Sequence, residues 1–261
     1  MTVLFGATLV GLGFVGAFAS GLLGVGGAIV MIPLLLYGPP LLGVGELGIK
    51  AVAGVTMVQV FVAATSGMLA HRRFQAVNAE LAGVGGLSMA VGSFAGALLS
   101  KYVHDKWLLL VFTLMVTAAA LLLLVPIERG EALTPAEHIR FSRLRTTLVA
   151  GGVGVAAGLV GAGGAFLLVP LLVVVVGVPI RVTIGSSLAI TALGATAGVA
   201  GKLVTGQIPL APTLAVALFA IPGAQIGAAL SHRLSASHLK LTLFLVILLT
   251  ALREWWNVLF E

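Results

Sequence analysis

The first 45 residues of the chain contain no lysine, arginine, aspartate, glutamate or histidine. As one α-helix this stretch would be about 67 Å long, more than twice the ~30 Å thickness of a hydrocarbon core. A single tilted span cannot absorb that length, so the stretch must break or turn back. Gly21, Gly24, Gly26 and Gly27 cluster near its middle, and glycine tolerates the backbone conformations that a break requires. The sequence predicts the break at these residues.

Composition places the whole chain in a membrane. Charged residues make up 8% of it, where a soluble domain carries about 25%, and hydrophobic residues make up 60%. The apolar runs lack the two-residue alternation of barrel strands, so we expect helices. The absence of cysteine excludes disulfides, thiolate metal sites and cysteine nucleophiles.

Charge and motifs exclude two further classes of function. The formal charge of +6 rests on only 14 lysine and arginine residues, and no basic run with interleaved aromatic residues indicates nucleic-acid binding. No His-Glu-x-x-His, Gly-x-Ser-x-Gly or nucleotide-binding loop is present, and no histidine has a second metal ligand at suitable spacing. The sequence therefore predicts no enzyme activity, catalytic residue, metal or cofactor.

The order of apolar runs divides the chain into two halves. Residues 128–145 form the one strongly polar stretch, and residues 146–180 are again free of charge. We expect a first membrane repeat at 1–127, a linker at 128–145 and a second membrane repeat at 146–261. Three apolar runs follow the broken segment in each half, at 51–70, 81–100 and 107–127 in the first and at 182–201, 203–230 and 239–252 in the second.

The two halves are related by an internal sequence repeat. Residues 21–33 (GLLGVGGAIVMIP) match residues 158–170 (GLVGAGGAFLLVP) at an offset of 137 positions. From Lys50 onward the offset is 131. It pairs Lys50 with Arg181, Gly54 with Gly185, Thr56 with Ser187, and Thr65 with Thr196.

Transporters are commonly built from such repeats in opposite orientations, which needs an odd number of crossings in each half. A glycine-broken hairpin plus three spans meets that condition. This topology puts nine basic residues on one side of the membrane and five on the other, whereas a single crossing by the first segment gives eight and six. The larger asymmetry agrees better with the positive-inside rule. We therefore expect an all-α polytopic membrane protein of two inverted repeats with about ten helical segments. The linker is then cytoplasmic and both termini lie outside.

Two motifs resemble those of a known family. Gly24-x-Gly26-Gly27 is followed six residues later by Pro33, and Gly161-x-Gly163-Gly164 by Pro170. A small-residue motif follows on the next predicted helix, as Gly185-Ser186-Ser187 and as Gly54-Val55-Thr56, where Val55 departs from the pattern. Together they resemble the TauE/SafE family of membrane permeases over nearly the whole chain. The resemblance implies export, or sometimes uptake, of small sulfur-containing anions such as sulfite and organosulfonates.

The two matched glycine motifs are the main candidates for a substrate site. We call residues 24–27 the first glycine turn and residues 161–164 the second. A helix that restarts after either turn directs free N–H groups and a positive dipole end toward the break, which favours an anion. The alternative is that small residues there only allow close packing of helices.

Other candidates line the helices that follow the turns. Hydroxyl and amide groups can bind an oxyanion, but in membrane helices they also bond to their own backbone or hold helices together. Lys50 and Arg181 are either attracting charges at the two mouths of a path or ordinary interfacial cations. The predicted substrate-binding residues are Gly24, Gly26, Gly27, Gly161, Gly163, Gly164, Thr56, Ser186, Ser187, Thr65, Thr196, Gln59, Lys50 and Arg181.

These features together predict a transporter of a small anion. All carboxylates fall at predicted span ends or in loops, which disfavours a cationic substrate. We expect export of sulfite or a sulfonate by alternating access, with the site between the two glycine turns. A channel-like anion path and a non-transporting membrane assembly partner are the alternatives. The expected partners are the anion and the lipid of a prokaryotic inner membrane, and a homodimer is compatible with the sequence.

Overall fold

A computed structural model describes residues 2–23, 27–72, 77–125, 139, 141–231 and 236–260, and this part of the chain is helical and contains no strand. The side chains of 70–72, 181, 231, 236–240, 243 and 257–260 are not described. The helices are α1 (Val3–Leu23), α2 (Ala28–Leu41), α3 (Ile49–Arg72), α4 (Ala79–Leu99), α5 (Asp105–Leu124), α6 (Arg143–Val160), α7 (Ala165–Leu171, extended by a π-helical turn, Leu172–Val176), α8 (Ile180–Val204), α9 (Leu210–Leu218), α10 (Ala220–Ser231) and α11 (Ala236–Phe260).

Seven helical stretches in the described residues are long and apolar enough to cross a membrane. They are α1, α3, α4, α5, α6, α8 and the rod formed by α9 and α10, which is interrupted at Phe219. α2 and α7 with its π-helical turn are shorter apolar helices. With α9 and α10 taken as one rod, these residues form the expected ten segments. Most of the predicted linker lies outside the described residues, and α6 begins at Arg143.

Each half opens with a helix that ends at its glycine turn and a shorter helix that starts there. Gly27 and Gly164 are the N-caps of α2 and α7, with φ angles of 71° and 73°. This left-handed backbone favours glycine because a Cβ atom would strain it. In the first half, Gly16 contacts Met31 and Gly38 contacts Leu12, so α1 and α2 form an antiparallel hairpin. The predicted break in the charge-free stretch is thus present.

The halves are held together by two glycine seams with matching contacts. In one seam α4 packs on α6, where Gly158 lies against the backbone of Ser93. In the other α10 packs on α1, where Gly21 lies against the backbone of Ala224. The pairs Gly158/Gly21 and Ser93/Ala224 differ by the same 137 and 131 positions as the sequence repeat. The glycines of these seams therefore serve backbone-to-backbone packing, which small residues permit in membrane helices.

The repeat-related helices α3 and α8 pack against each other in opposite directions. Gly67 contacts Leu188 near one end of the pair, and Met57 contacts Gly198 near the other. Equivalent helices that run antiparallel are what an inverted repeat requires. The orientation of the two halves in the bilayer stays a prediction.

The seam can be tested by adding one methyl group. In Gly158→Ala the new methyl overlaps the carbonyl oxygen of Ser93, so we expect the free energy of unfolding to fall by about 2–4 kcal/mol. Gly152→Ala on the same helix meets no atom within 4 Å and should change it by less than about 1 kcal/mol. Denaturant unfolding in detergent micelles measures both. Equal effects of the two substitutions would show that the seam is not tightly packed.

Candidate functional site

The second glycine turn is buried and filled by neighbouring helices. A methyl group at Gly161 would overlap the backbone of Ala53 on α3, and one at Gly163 would overlap the side chain of Val60. Gly164 lies against Val153 on α6. All three glycines are buried and have positive φ angles. The contacts around this turn match the packing interpretation that the sequence left open.

The first glycine turn has polar neighbours. Gly24 and Gly26 lie outside the described residues, so the turn is seen at Gly27. A Cβ atom on Gly27 would lie 2.8 Å from Cβ of Ser20 and 3.3 Å from Nε2 of Gln59. No side chain caps the start of α2 at this point. The N-terminus of α2 therefore faces a fully buried serine and a fully buried glutamine.

Both turns lie beside the middle of α3. Gln59 neighbours the first turn and Val60 neighbours the second, and these consecutive residues are near the centre of a span that runs from Ile49 to Leu69. A residue there is about 15 Å from either end of the span. Consecutive residues point about 100° apart around a helix, so the two turns meet different faces of α3, and Thr56 lies between those faces.

The strongest sign of a binding site is a set of buried polar atoms without partners. Within the described residues, Oγ of Ser20, Oγ1 of Thr56 and both amide atoms of Gln59 make no hydrogen bond. Thr56 and Gln59 are three residues apart on α3 and so share a face of the helix. An unsatisfied polar group away from water costs about 1–3 kcal/mol or more, which makes these atoms candidates for contact with a ligand.

The predicted hydroxyls divide into two groups. Ser186 accepts a hydrogen bond from the backbone N–H of Asn78 at 3.0 Å, Ser187 donates to the carbonyl of Ile184 at 2.9 Å, and Thr196 donates to that of Ala192 at 2.7 Å. Their hydrogen bonds are structural. Thr56 and Thr65 instead have buried hydroxyls with no partner in the described part of the chain. The repeat-related pairs therefore differ between the halves, with the unpartnered members on α3.

The two predicted mouth cations begin antiparallel helices and so lie at opposite ends of the pair. Nζ of Lys50 donates to the carbonyl of Lys101 at 3.2 Å and lies 3.7 Å from a carboxylate oxygen of Asp105. Its side chain is 36% exposed, as for an interfacial lysine. The side chain of Arg181 is not described.

Sequence patterns did not reveal a buried cation near the second turn. Lys202, at the end of α8, is fully buried. Its Nζ donates to Oγ of Ser100 at 2.7 Å, to Oε1 of Gln207 at 2.8 Å and to the carbonyl of Leu159 at 3.1 Å. Leu159 is in the last turn of α6, just before the second glycine turn. Lysine at a span end usually predicts an interfacial charge, so no sequence signal distinguished this one.

A multi-pass helical fold with a buried polar cluster at mid-span is an arrangement that membrane transport proteins use. The model of the sulfite exporter family TauE/SafE matches residues 9–254. The chain belongs to the TauE/SafE family, and it is a membrane transporter.

Relatives from two bacteria match nearly the full chain. A "probable membrane transporter protein" of Xylella fastidiosa (strain Temecula1) is 34% identical over 98% of this chain and 97% of its own length. The "probable membrane transporter protein YunE" of Bacillus subtilis is 23% identical over 92% of this chain and 94% of its own. No solved structure matches the chain.

Proposed function

We propose that the protein exports a small sulfur-containing oxyanion, such as sulfite or an organosulfonate, by alternating access. The family supports this substrate class, since its description names sulfite export. The main support for the position of the site is the side-chain amide of Gln59. This amide is fully buried, has no partner within the described residues and lies beside the start of α2. The anion binds at the first glycine turn.

The donors available there suit an oxyanion. Ser20 and Gln59 lie beside Gly27, and Thr56 is one turn of α3 away from Gln59. The two hydroxyls and the amide N–H₂ of Gln59 can each donate a hydrogen bond to oxygen. The positive end of the α2 dipole adds a favourable potential without a fixed positive charge. Neutral donors bind an anion more weakly than a lysine or arginine pair does, which lets a transporter release it.

Two inverted repeats provide the movement in this proposal. The antiparallel pair of α3 and α8 relates the two repeats by an inversion, which would let one side of the protein close while the other side opens. We place the protein in a prokaryotic inner membrane, with the 128–145 linker in the cytoplasm, both termini outside and no enzymatic step. The second glycine turn acts as a packed support, and Gly161, Gly163 and Gly164 are not ligands.

The proposal is tested with purified protein in liposomes. Labelled sulfite, a sulfonate and chloride are offered in turn, and we expect saturable flux of the sulfur anions with little flux of chloride. Flux that rises linearly with concentration would indicate a channel instead of a carrier. If the parent protein carries none of these anions, the proposed function is wrong.

A hydroxyl-to-methyl substitution locates the site. Thr56→Val preserves the shape of the side chain and removes its donor, so we expect KM for the anion to rise about tenfold, the equivalent of about 1.4 kcal/mol. Thr196→Val is the matched control because the Thr196 hydroxyl bonds to its own helix. Flux measured over a range of anion concentrations separates the two. Equal KM values for Thr56→Val and the parent would remove Thr56 from the site.

A further inference from the structure

A buried carboxyl group on α11 has no role in the binding site just described. Glu254 is fully buried, although the sequence pattern placed it at a span end. The hydroxyl of Tyr37 on α2 donates to its two oxygens, at 3.2 and 3.3 Å. A single neutral donor does not compensate the desolvation of a carboxylate, so burial favours the protonated acid.

The charged groups around Glu254 are few. Arg253 lies over the Tyr37 ring, with its guanidinium carbon 4.7 Å from the ring centroid, and is itself exposed. Its positive charge favours the carboxylate form of Glu254, but burial has the larger effect. α11 packs against α5, α2 and α1. α1 has no ionisable side chain and α2 has only Tyr37.

The remaining charges on these elements are distant. The charges of α5 are Asp105 and Lys106 in its first turn, about 18 Å along the helix from Thr117, which accepts a hydrogen bond from Trp255. On α11 itself, His238 and Lys240 precede Glu254 by about 20 Å or more of helix. Within the described residues Glu254 has no ion-pair partner.

α2 connects this carboxyl group to the proposed anion site. The helix begins at the first glycine turn and carries Tyr37 ten residues later. Pro33 has no N–H to give the carbonyl of Ile29, and the hydroxyl of Thr250 on α11 donates to that carbonyl at 3.4 Å. α11 therefore contacts α2 both beside the anion site and at Glu254. A shift of α2 that accompanies anion binding would change the surroundings of the carboxyl group.

We propose that Glu254 is the proton-binding group that couples anion transport to proton movement, an inference that rests on the proposed function. The carboxylate takes up one proton from the water on one side and becomes a neutral acid. It returns that proton to the other side after α2 and α11 have moved. One proton moved with one monoanion transfers no net charge, which makes the cycle independent of the membrane potential.

The test compares proton and anion movement in the same liposomes. A trapped pH indicator reports protons while labelled sulfite reports the anion. Glu254→Gln retains the size of the side chain and still accepts from Tyr37, so a purely structural role would survive. We expect this variant to lose proton movement by about tenfold or more while anion exchange at equal concentrations stays within about twofold of the parent. Tyr37→Phe should retain proton movement because it keeps the carboxyl group.

Two outcomes would overturn the assignment. One is undiminished proton movement in Glu254→Gln, and the other is anion flux in the parent with no proton movement. Infrared titration of the purified protein gives a readout that needs no transport. A protonated-carboxyl band that titrates in the parent and in Glu46→Gln, a solvent-exposed control, should be absent in Glu254→Gln. If the parent protein shows this band but no anion flux, the proposed function is wrong and the assignment of a titrating Glu254 is not affected. If the parent protein lacks the band, the role of Glu254 is wrong.

Discussion

Replacing Gln59 by methionine is expected to make the protein more stable and to stop anion flux. Methionine matches the length of glutamine and packs well in an apolar interior. The substitution removes two buried polar atoms that have no partner within the described residues, so the free energy of unfolding should rise by about 1–3 kcal/mol. It also removes the donor beside the start of α2, and flux should fall by about 100-fold or more.

The opposite signs of the two effects make this prediction informative. If Gln59 held helices together, its removal would lower stability, and the site assignment would be wrong. Gln225→Met is the matched control, because Gln225 is exposed on α10 and both of its effects should be small. Thermal unfolding in detergent and sulfite flux in liposomes supply the two readouts.

The main features of the fold could be predicted from local sequence. The charge-free stretch was too long for one helix, and the glycines at its middle identified the break, because few other residues adopt the backbone of Gly27 at φ 71°. The repeat offsets predicted pairs such as Gly21 and Gly158, which occupy equivalent seams. These signals depend on backbone geometry and spacing, which a single sequence records.

The individual site residues were harder to predict because their roles depend on tertiary contacts. Ser20 belongs to no motif, and only the folded hairpin brings it to Gly27 and Gln59. Ser187 and Thr56 occupy equivalent repeat positions, yet the Ser187 hydroxyl bonds to its own helix and that of Thr56 has no partner among the residues described. Repetition of a residue type therefore predicted its depth in the fold and not its hydrogen-bond partner.

The two turns also differ in a way that the sequence repeat conceals. Val60 on α3 fills the space beside the second turn, and the neighbouring Gln59 leaves polar atoms beside the first. One position along a single helix thus distinguishes a packed turn from a candidate ligand site. Similar glycine motifs have different neighbours because α3 presents a different face to each.

The second large effect is expected at Lys202, whose charge is buried beside the C-terminus of α6. Burial of an ammonium group is costly unless its protons are hydrogen-bonded, and all three protons can be accommodated by Ser100, Gln207 and the carbonyl of Leu159. The C-terminal end of the α6 dipole adds a favourable potential. The lysine therefore joins α4, α6 and α8 at the level where the second glycine turn begins.

Lys202→Met is expected to lower the free energy of unfolding by about 2–4 kcal/mol, because it removes three hydrogen bonds that join α4, α6 and the end of α8. The second glycine turn would lose its support at Leu159, so anion flux should fall with stability. Lys101→Met, which removes an exposed ammonium group from the residue next to Ser100, should change stability by about 0.5 kcal/mol or less. Denaturant unfolding of the two variants in detergent separates a buried anchor from a surface charge. A small and equal change in both would mean that the three hydrogen bonds of Lys202 contribute little, and that packing of Gly161 and Gly163 against α3 holds the turn by itself.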